Sequence, residues 1–217
     1  GYMSISIIVT FWNSAIIANS HIRLTGGDPS FADGFSAAAK RIHIIIIWGI
    51  IAGTVGLLLK ILSNAGKGSD NGGAQIFVMI IQIIGATIWW MLTFFMIPHM
   101  VIEGKSVGES MKSSRQMFSK TWGENISSGL GIGIITFLFG AIIVVVTFGL
   151  MAVIGPIGLI FGGLAMAVLI MWSSAAEQVA VTALYIYSKT GKMPQLYQDM
   201  GVAEYTFPKS VNVGRMS

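Results

Sequence analysis

Glu177 is the one carboxylate inside a long apolar segment of this sequence, which makes it the first candidate for a chemical function. A charged group in the hydrocarbon region of a bilayer is costly, and it is therefore a functional hypothesis by default. Glu177 could accept a proton, bind a cation or pair with a cationic headgroup. Alternatively, it lies near the cytoplasmic interface and hydrogen-bonds a neighbouring helix. The candidate intramembrane polar site consists of Asn13, Gln82, Glu177 and Gln178.

His99 and Glu103 have the i,i+4 spacing that places two side chains on one helical face. Two residues do not make a metal site, and Glu103 is better interpreted as an interfacial carboxylate that caps the next helix. The chain has no cysteine, which excludes disulfides and thiolate chemistry. It also lacks P-loop, GxSxG and HExxH motifs. We therefore expect no metal, no cofactor and no enzymatic activity.

Long apolar segments dominate the elements that must carry these residues. Hydrophobic residues make up 54% of the chain and charged residues 10%, against about 25% charged in soluble domains. About 20 apolar residues span a hydrocarbon core, and continuous apolarity favours helices over a β-barrel. The expected fold is an all-α polytopic transmembrane bundle. Its predicted spans are 3–22, 42–62, 74–97, 126–151 and 157–188.

Two connectors, 31–41 and 107–120, combine apolar and basic residues with helical spacing, as helices on a membrane surface do. Their cations form the candidate lipid- or partner-binding surface, namely Lys40, Arg41, Lys112, Arg115 and Lys120. We expect membrane lipids as partners, together with a protein partner or a second copy of the chain. No clustered basic face supports nucleic-acid binding.

The basic residues also predict an orientation in the cell membrane. They concentrate in the two amphipathic connectors and in the polar tail, so these parts are expected on the cytoplasmic side. The first residue would then lie outside, and a missing N-terminal helix would raise five spans to six. We divide the chain into a transmembrane domain, 1–192, and a polar C-terminal tail, 193–217.

Glycines at short spacings predict close helix packing within the spans. The residues concerned are Gly49, Gly53, Gly129, Gly133, Gly158 and Gly162. Two parts of the chain also share a plan, in which a span leads into an amphipathic connector and then into a glycine-rich span. The segments 30–35 and 106–111 align loosely. Such parallel repeats occur in transporters, and simple duplication for packing explains them equally well.

Two stretches carry a resemblance to a known group of proteins. One contains Phe-Phe-Met-Ile-Pro at 94–98, Glu-Gly-Lys-Ser at 103–106, the serines at 110 and 114, and Thr-Trp-Gly-Glu-Asn at 121–125. The other is Ala-Leu-Tyr-Ile-Tyr-Ser-Lys-Thr-Gly-Lys-Met-Pro at 183–194. The chain resembles a family of uncharacterised prokaryotic multipass membrane proteins. It is more distantly similar to the membrane domain of some glycerophosphodiester phosphodiesterases. The family implies six spans and no catalytic residue.

We expect a non-enzymatic integral membrane protein that serves as an accessory or scaffold subunit of a larger membrane assembly. The alternative is a transporter or channel for a small solute or ion that uses the polar site around Glu177. An intramembrane enzyme lacks a nucleophile–base pair in this sequence.

Overall fold

The computed structural model of the chain describes residues 1–67, 72–122 and 129–199. Every regular element within these ranges is helical. The helices are α1 (Tyr2–Leu24), α2 (Phe31–Lys40), α3 (Ile42–Lys67), α4 (Gly72–Thr93), α5 (Met96–Val101), α6 (Val107–Trp122), α7 (Gly129–Ile154), α8 (Ile157–Thr190) and α9 (Gln195–Asp199).

Five segments of this structure are long and apolar enough to cross a membrane. They are α1, α3, the combined α4–α5 segment, α7 and α8. In lipid a helix satisfies its backbone hydrogen bonds internally, which explains why such apolar sequences adopt this state. The predicted all-α fold with five spans and two short amphipathic helices between them is confirmed.

The third predicted span differs from the structure in one respect. Helix α4 ends at Thr93, and α5 begins at Met96. Pro98 lies in the first turn of α5, where its missing N–H would have no helical partner in any case. At the break, the N–H of Phe95 donates to Ser114 Oγ of α6 at 3.0 Å. A side chain from another helix thus replaces a bond that a continuous helix would make.

The chain divides into two compact units. Unit 1 contains the described residues before Gly123 and those from Val181 onward, and unit 2 contains those from Gly129 to Ala180. The boundary predicted between residues 192 and 193 therefore remains a prediction. The described start of that tail belongs to unit 1, where Met193 is buried and Tyr197 contacts an apolar cluster.

Glycines allow close helix contact in unit 1. A Cβ on Gly49 would lie 2.8 Å from Ile7 Cα, and one on Gly53 would lie 3.3 Å from Met3 Cα. Since residue numbers fall along α1 as they rise along α3, these two helices pack antiparallel. Helix α3 therefore begins beside the middle of α1, and the last turns of α1 project beyond that level.

In unit 2, α7 and α8 form a hairpin around the predicted turn at Gly155, which has a positive φ of 65°. Gly158 lies against the backbone at Met151, and Gly162 lies against Thr147. Thr136 and Ser173 join their hydroxyls at 2.8 Å. The surroundings of Gly129 and Gly133 lie outside the described part of the structure.

Unit 1 buries its core on the projecting half of α1, where α2, α5, α6 and the C-terminal turns of α8 meet. Fully enclosed apolar side chains occur there, among them Ile17, Ile45, Phe95, Met96 and Met100. By contrast, α4 exposes most of its large apolar residues. The core therefore lies at one end of this unit, and the apolar surface of α4 suits lipid.

The two surface helices begin in the same way. Ser30 and Asp33 form a reciprocal capping box at the start of α2. Ser106 and Glu109 exchange the equivalent hydrogen bonds at the start of α6. The buried residues then recur at one spacing, Gly34 and Ala38 in α2 and Ser110 and Ser114 in α6. This common design supports the aligned repeat.

Candidate functional site

Glu103 is the centre of the densest polar cluster in the described structure. It follows α5, and its side chain is 14% exposed. Its Oε2 accepts from His99 Nδ1 at 3.0 Å and pairs with Lys105 Nζ at 2.6 Å. Its Oε1 accepts from the Tyr185 hydroxyl at 2.5 Å and pairs with Lys189 Nζ. Tyr185 and Lys189 are one turn apart on α8, so two helices and a loop converge on one carboxylate.

The partners determine the charge of Glu103. Partial burial alone would raise the pKa of its carboxyl group. Hydrogen bonds from Lys105, Lys189, Tyr185 and His99 outweigh that effect and hold the pKa well below its usual range. Glu103 is therefore an anion at neutral pH. His99 is 2% exposed, and its Nε2 has no hydrogen-bond partner among the described residues.

The residue after Glu103 provides space for a cation. Gly104 has a positive φ of 69°, which disfavours residues with a side chain. A Cβ at this position would overlap the guanidinium group of Arg41. Next along the chain, Lys105 also donates to Ser113 Oγ of α6 at 2.9 Å. The loop thus joins the start of α3 to α6 through side chains.

The interpretation of Glu103 as a helix cap is wrong. Ser106 caps α6, since its Oγ accepts from the N–H of Glu109 at 3.4 Å. Glu109 Oε2 in turn accepts from the Ser106 hydroxyl at 2.7 Å and from the Ser106 N–H at 3.0 Å, and these two bonds lower the pKa of Glu109. Ser106 and Glu109 therefore form the cap of α6, and Glu103 belongs to the side-chain cluster instead.

Helix α6 presents a basic groove. An open cavity of about 540 Å³ lies along its exposed face. The residues that line it are Lys112, Arg115, Gln116, Ser119 and Lys120. None of these residues is acidic. Three of the five predicted surface cations therefore share one groove.

Helix α2 presents an aromatic patch, defined here as Trp12, Phe31 and Phe35. Phe31 and Phe35 stack with ring centroids 6.3 Å apart, and both rings contact Trp12 of α1. Phe31 is 72% exposed. Exposed aromatic rings on a helix with polar flanks are typical of helices inserted into a membrane interface.

The other two predicted surface cations, Lys40 and Arg41, line a second open cavity of about 510 Å³ between α2 and the end of α5. We call this the α2–α5 cavity. Its remaining lining residues are Ile22, Asp33, Ser36, Ala37 and Val101.

The predicted intramembrane polar site remains a prediction. Asn13 and Gln82 are partly buried in unit 1, whereas Glu177 and Gln178 belong to unit 2. Glu177 is exposed on α8. About 30 Å of helix separates it from Ile157, which equals the thickness of a typical hydrocarbon core. About 18 Å of the same helix separates Glu177 from Lys189, so both interpretations of Glu177 stay open.

The sequence interpretation missed the Glu103 cluster as a unit. The His99–Glu103 spacing was visible, but two residues were too few to indicate a site. A further signal was available, because the two stretches that carry the family resemblance contain Glu103 with Lys105 and Tyr185 with Lys189. No group of three His, Asp or Glu side chains that could hold a metal occurs among the described residues.

The fold and its apolar helices define a polytopic α-helical protein of the kind that resides in membranes. A family of unknown function, DUF6159, matches residues 1–194, and the chain belongs to that family. No curated protein and no solved structure matches the chain. The expected distant similarity to glycerophosphodiester phosphodiesterases therefore has no support from these comparisons.

Proposed function

We propose that the protein is a non-enzymatic accessory or scaffold subunit that binds an acidic segment of a protein partner through the basic groove on α6. The observation that carries the proposal is the groove itself, with Lys112, Arg115 and Lys120 along one exposed face. Complementary charge steers association and selects partners of the opposite sign.

The packing of α6 supports a protein partner over lipid. Met117 and Phe118 on its apolar face pack against the core of unit 1, and Phe118 also contacts Trp90. A helix that inserts into lipid needs a free apolar face. Because α6 uses that face in packing, its basic face is directed to water or to a partner. Helix α2, with its free aromatic patch, is the lipid-facing helix.

The proposed orientation places α6 and the tail in the cytoplasm, following the distribution of basic residues. Single cysteines test it cleanly because the chain has none. We expect Ser119→Cys to react with an impermeant maleimide only after the cytoplasmic side is opened. Lys60→Cys, near the other end of α3, should react from outside. The reverse pattern would refute the orientation.

A charge-reversal experiment tests the function. The protein is purified from native membranes in a gentle detergent, and co-purifying proteins are quantified by mass spectrometry. We expect a stoichiometric partner that is lost from the Lys112→Glu, Arg115→Glu, Lys120→Glu triple variant and retained by Lys60→Glu. A photo-crosslinker at residue 119 should attach to an acidic segment of that partner. Equal recovery from both variants, or a chain that purifies alone, would overturn the proposal.

Transport through Glu177 is the alternative function, and no described contact favours it. It predicts that Glu177→Gln abolishes an ion-dependent flux in reconstituted vesicles. A variant with lost flux and an intact partner complex would replace the scaffold proposal.

A further inference from the structure

The α2–α5 cavity lies at the level where apolar spans begin and end. Arg41 immediately precedes Ile42, the first residue of α3, and Val101 is the last residue of α5. Headgroup phosphates occupy a layer of several ångströms just outside the hydrocarbon core. If these helices cross the membrane, the cavity opens into that layer.

Arg41 is held in this cavity without a compensating anion. Its guanidinium lies against Gly104, and its side chain is partly buried. No carboxylate in the described part of the chain pairs with it. The nearby carboxylate of Glu103 is already paired with Lys105 and Lys189. An arginine without a carboxylate partner has its hydrogen-bond donors available for an anion from outside.

The one acidic residue that lines the cavity is already engaged. Asp33 Oδ2 accepts from the Ser30 N–H at 2.8 Å and from its hydroxyl at 2.7 Å. These hydrogen bonds lower the pKa of Asp33 and fix the carboxylate at the start of α2. Lys40 and Arg41 lie at the other end of that helix, so the basic end of the cavity remains open to an anion.

We propose that the α2–α5 cavity binds the phosphate of a phospholipid headgroup, with Arg41 as the principal ligand and Lys40 as the second. A planar guanidinium can donate two parallel hydrogen bonds to a phosphate. Apolar Ile22 and Val101 line the same cavity and suit the glycerol and the first acyl carbons. A soluble phosphate would leave these apolar side chains without a partner, so the cavity lining favours a lipid over a soluble phosphate.

This site is separate from the basic groove on α6, and the inference goes beyond the proposed function. The test uses the full chain in phosphatidylcholine nanodiscs that contain phosphatidylglycerol, with native mass spectrometry after release. We expect the wild type to retain one phospholipid. Arg41→Gln should lower the retained fraction about tenfold, because a charge-assisted hydrogen bond is worth about one decade in affinity. Lys192→Gln removes an exposed cation that lines neither cavity, so it is the matched control and should retain lipid as the wild type does.

Two further arms complete the experiment. Arg41→Lys keeps the charge and loses the planar fork, so its retention should fall between those of the wild type and Arg41→Gln. In the second arm, the wild-type protein is released from the nanodiscs into millimolar inorganic phosphate, which competes with the lipid for the cavity. Equal retention by all variants would overturn the inference. Bound inorganic phosphate in place of the lipid would overturn the lipid as its source.

Discussion

Glu103→Gln is the substitution that most directly tests the organisation of unit 1. Removing one partner of a fully buried ion pair costs about 3–5 kcal/mol. Lys105 and Lys189 are 36% and 47% exposed, so they can regain water, and their share of the loss is smaller. The glutamine carbonyl can still accept from Tyr185, but its amide would oppose another donor. We therefore expect a loss of roughly 2–3 kcal/mol.

Thermal unfolding in detergent measures this effect. For a chain of this size 1 kcal/mol corresponds to about 2–4 °C in Tm, so Glu103→Gln should lower Tm by roughly 5–10 °C. Asp28→Asn is the matched control, since Asp28 forms an exposed ion pair with Arg23 at 3.0 Å. That variant should keep the wild-type Tm. Equal Tm values for both variants would show that the Glu103 cluster does not stabilise the fold.

The stabilisation by Glu103 should also depend on pH. The folded pKa of Glu103 is depressed below its ordinary value of 4.5, so the stabilisation is fully present above that pH. It is lost as the pH falls below 4.5 toward the folded pKa. The Tm difference between the wild type and Glu103→Gln should therefore be constant from pH 8 to about pH 5 and shrink in stronger acid. A difference that disappears already near neutral pH would contradict the assignment of the anion.

Two further predictions concern helix packing and capping. Gly49→Ala should lower Tm clearly, because the new Cβ would meet the backbone of α1. Gly56→Ala should lower Tm only slightly, because its Cβ would meet the movable ring of Tyr2 at 3.2 Å. Equal decreases in Tm would refute this contrast. Ser30→Ala should cost about 1 kcal/mol through loss of the α2 cap, and protease cleavage at residue 31 should accelerate; unchanged cleavage would argue against the cap.

The architecture was predictable because lipid leaves a chain few choices. Continuous apolar segments indicated helices, and the amphipathic patterns at 31–41 and 107–120 indicated the two short helices α2 and α6. The break at Phe95 was not predictable, because it depends on a hydrogen bond that the Phe95 N–H donates to Ser114 of α6. Local patterns do not reveal which distant side chain will satisfy a backbone group.

The Glu103 cluster shows a similar limit. Glu103 and Tyr185 are 82 residues apart in the sequence, so no local spacing could connect them. In the sequence, Lys189 is one of the basic residues after the last span, and these predict only the orientation. Its ion pair became evident once α8 was known to bring its last turns to the loop after α5. Counting basic residues predicts on which side of a membrane a connector lies, but it does not distinguish a free cation from one in an ion pair.

The repeated plan of the chain limits which gains or losses of spans would preserve its orientation in a membrane. Each copy, α1–α2–α3 or α4–α7, holds two candidate spans around a capped surface helix. A segment with two crossings returns the chain to the side from which it started. Gain or loss of a whole copy would therefore leave α8 and everything after it facing the same way. Loss of one span would invert all that follows, so whole copies are changes in span number that preserve the orientation of the rest of the chain.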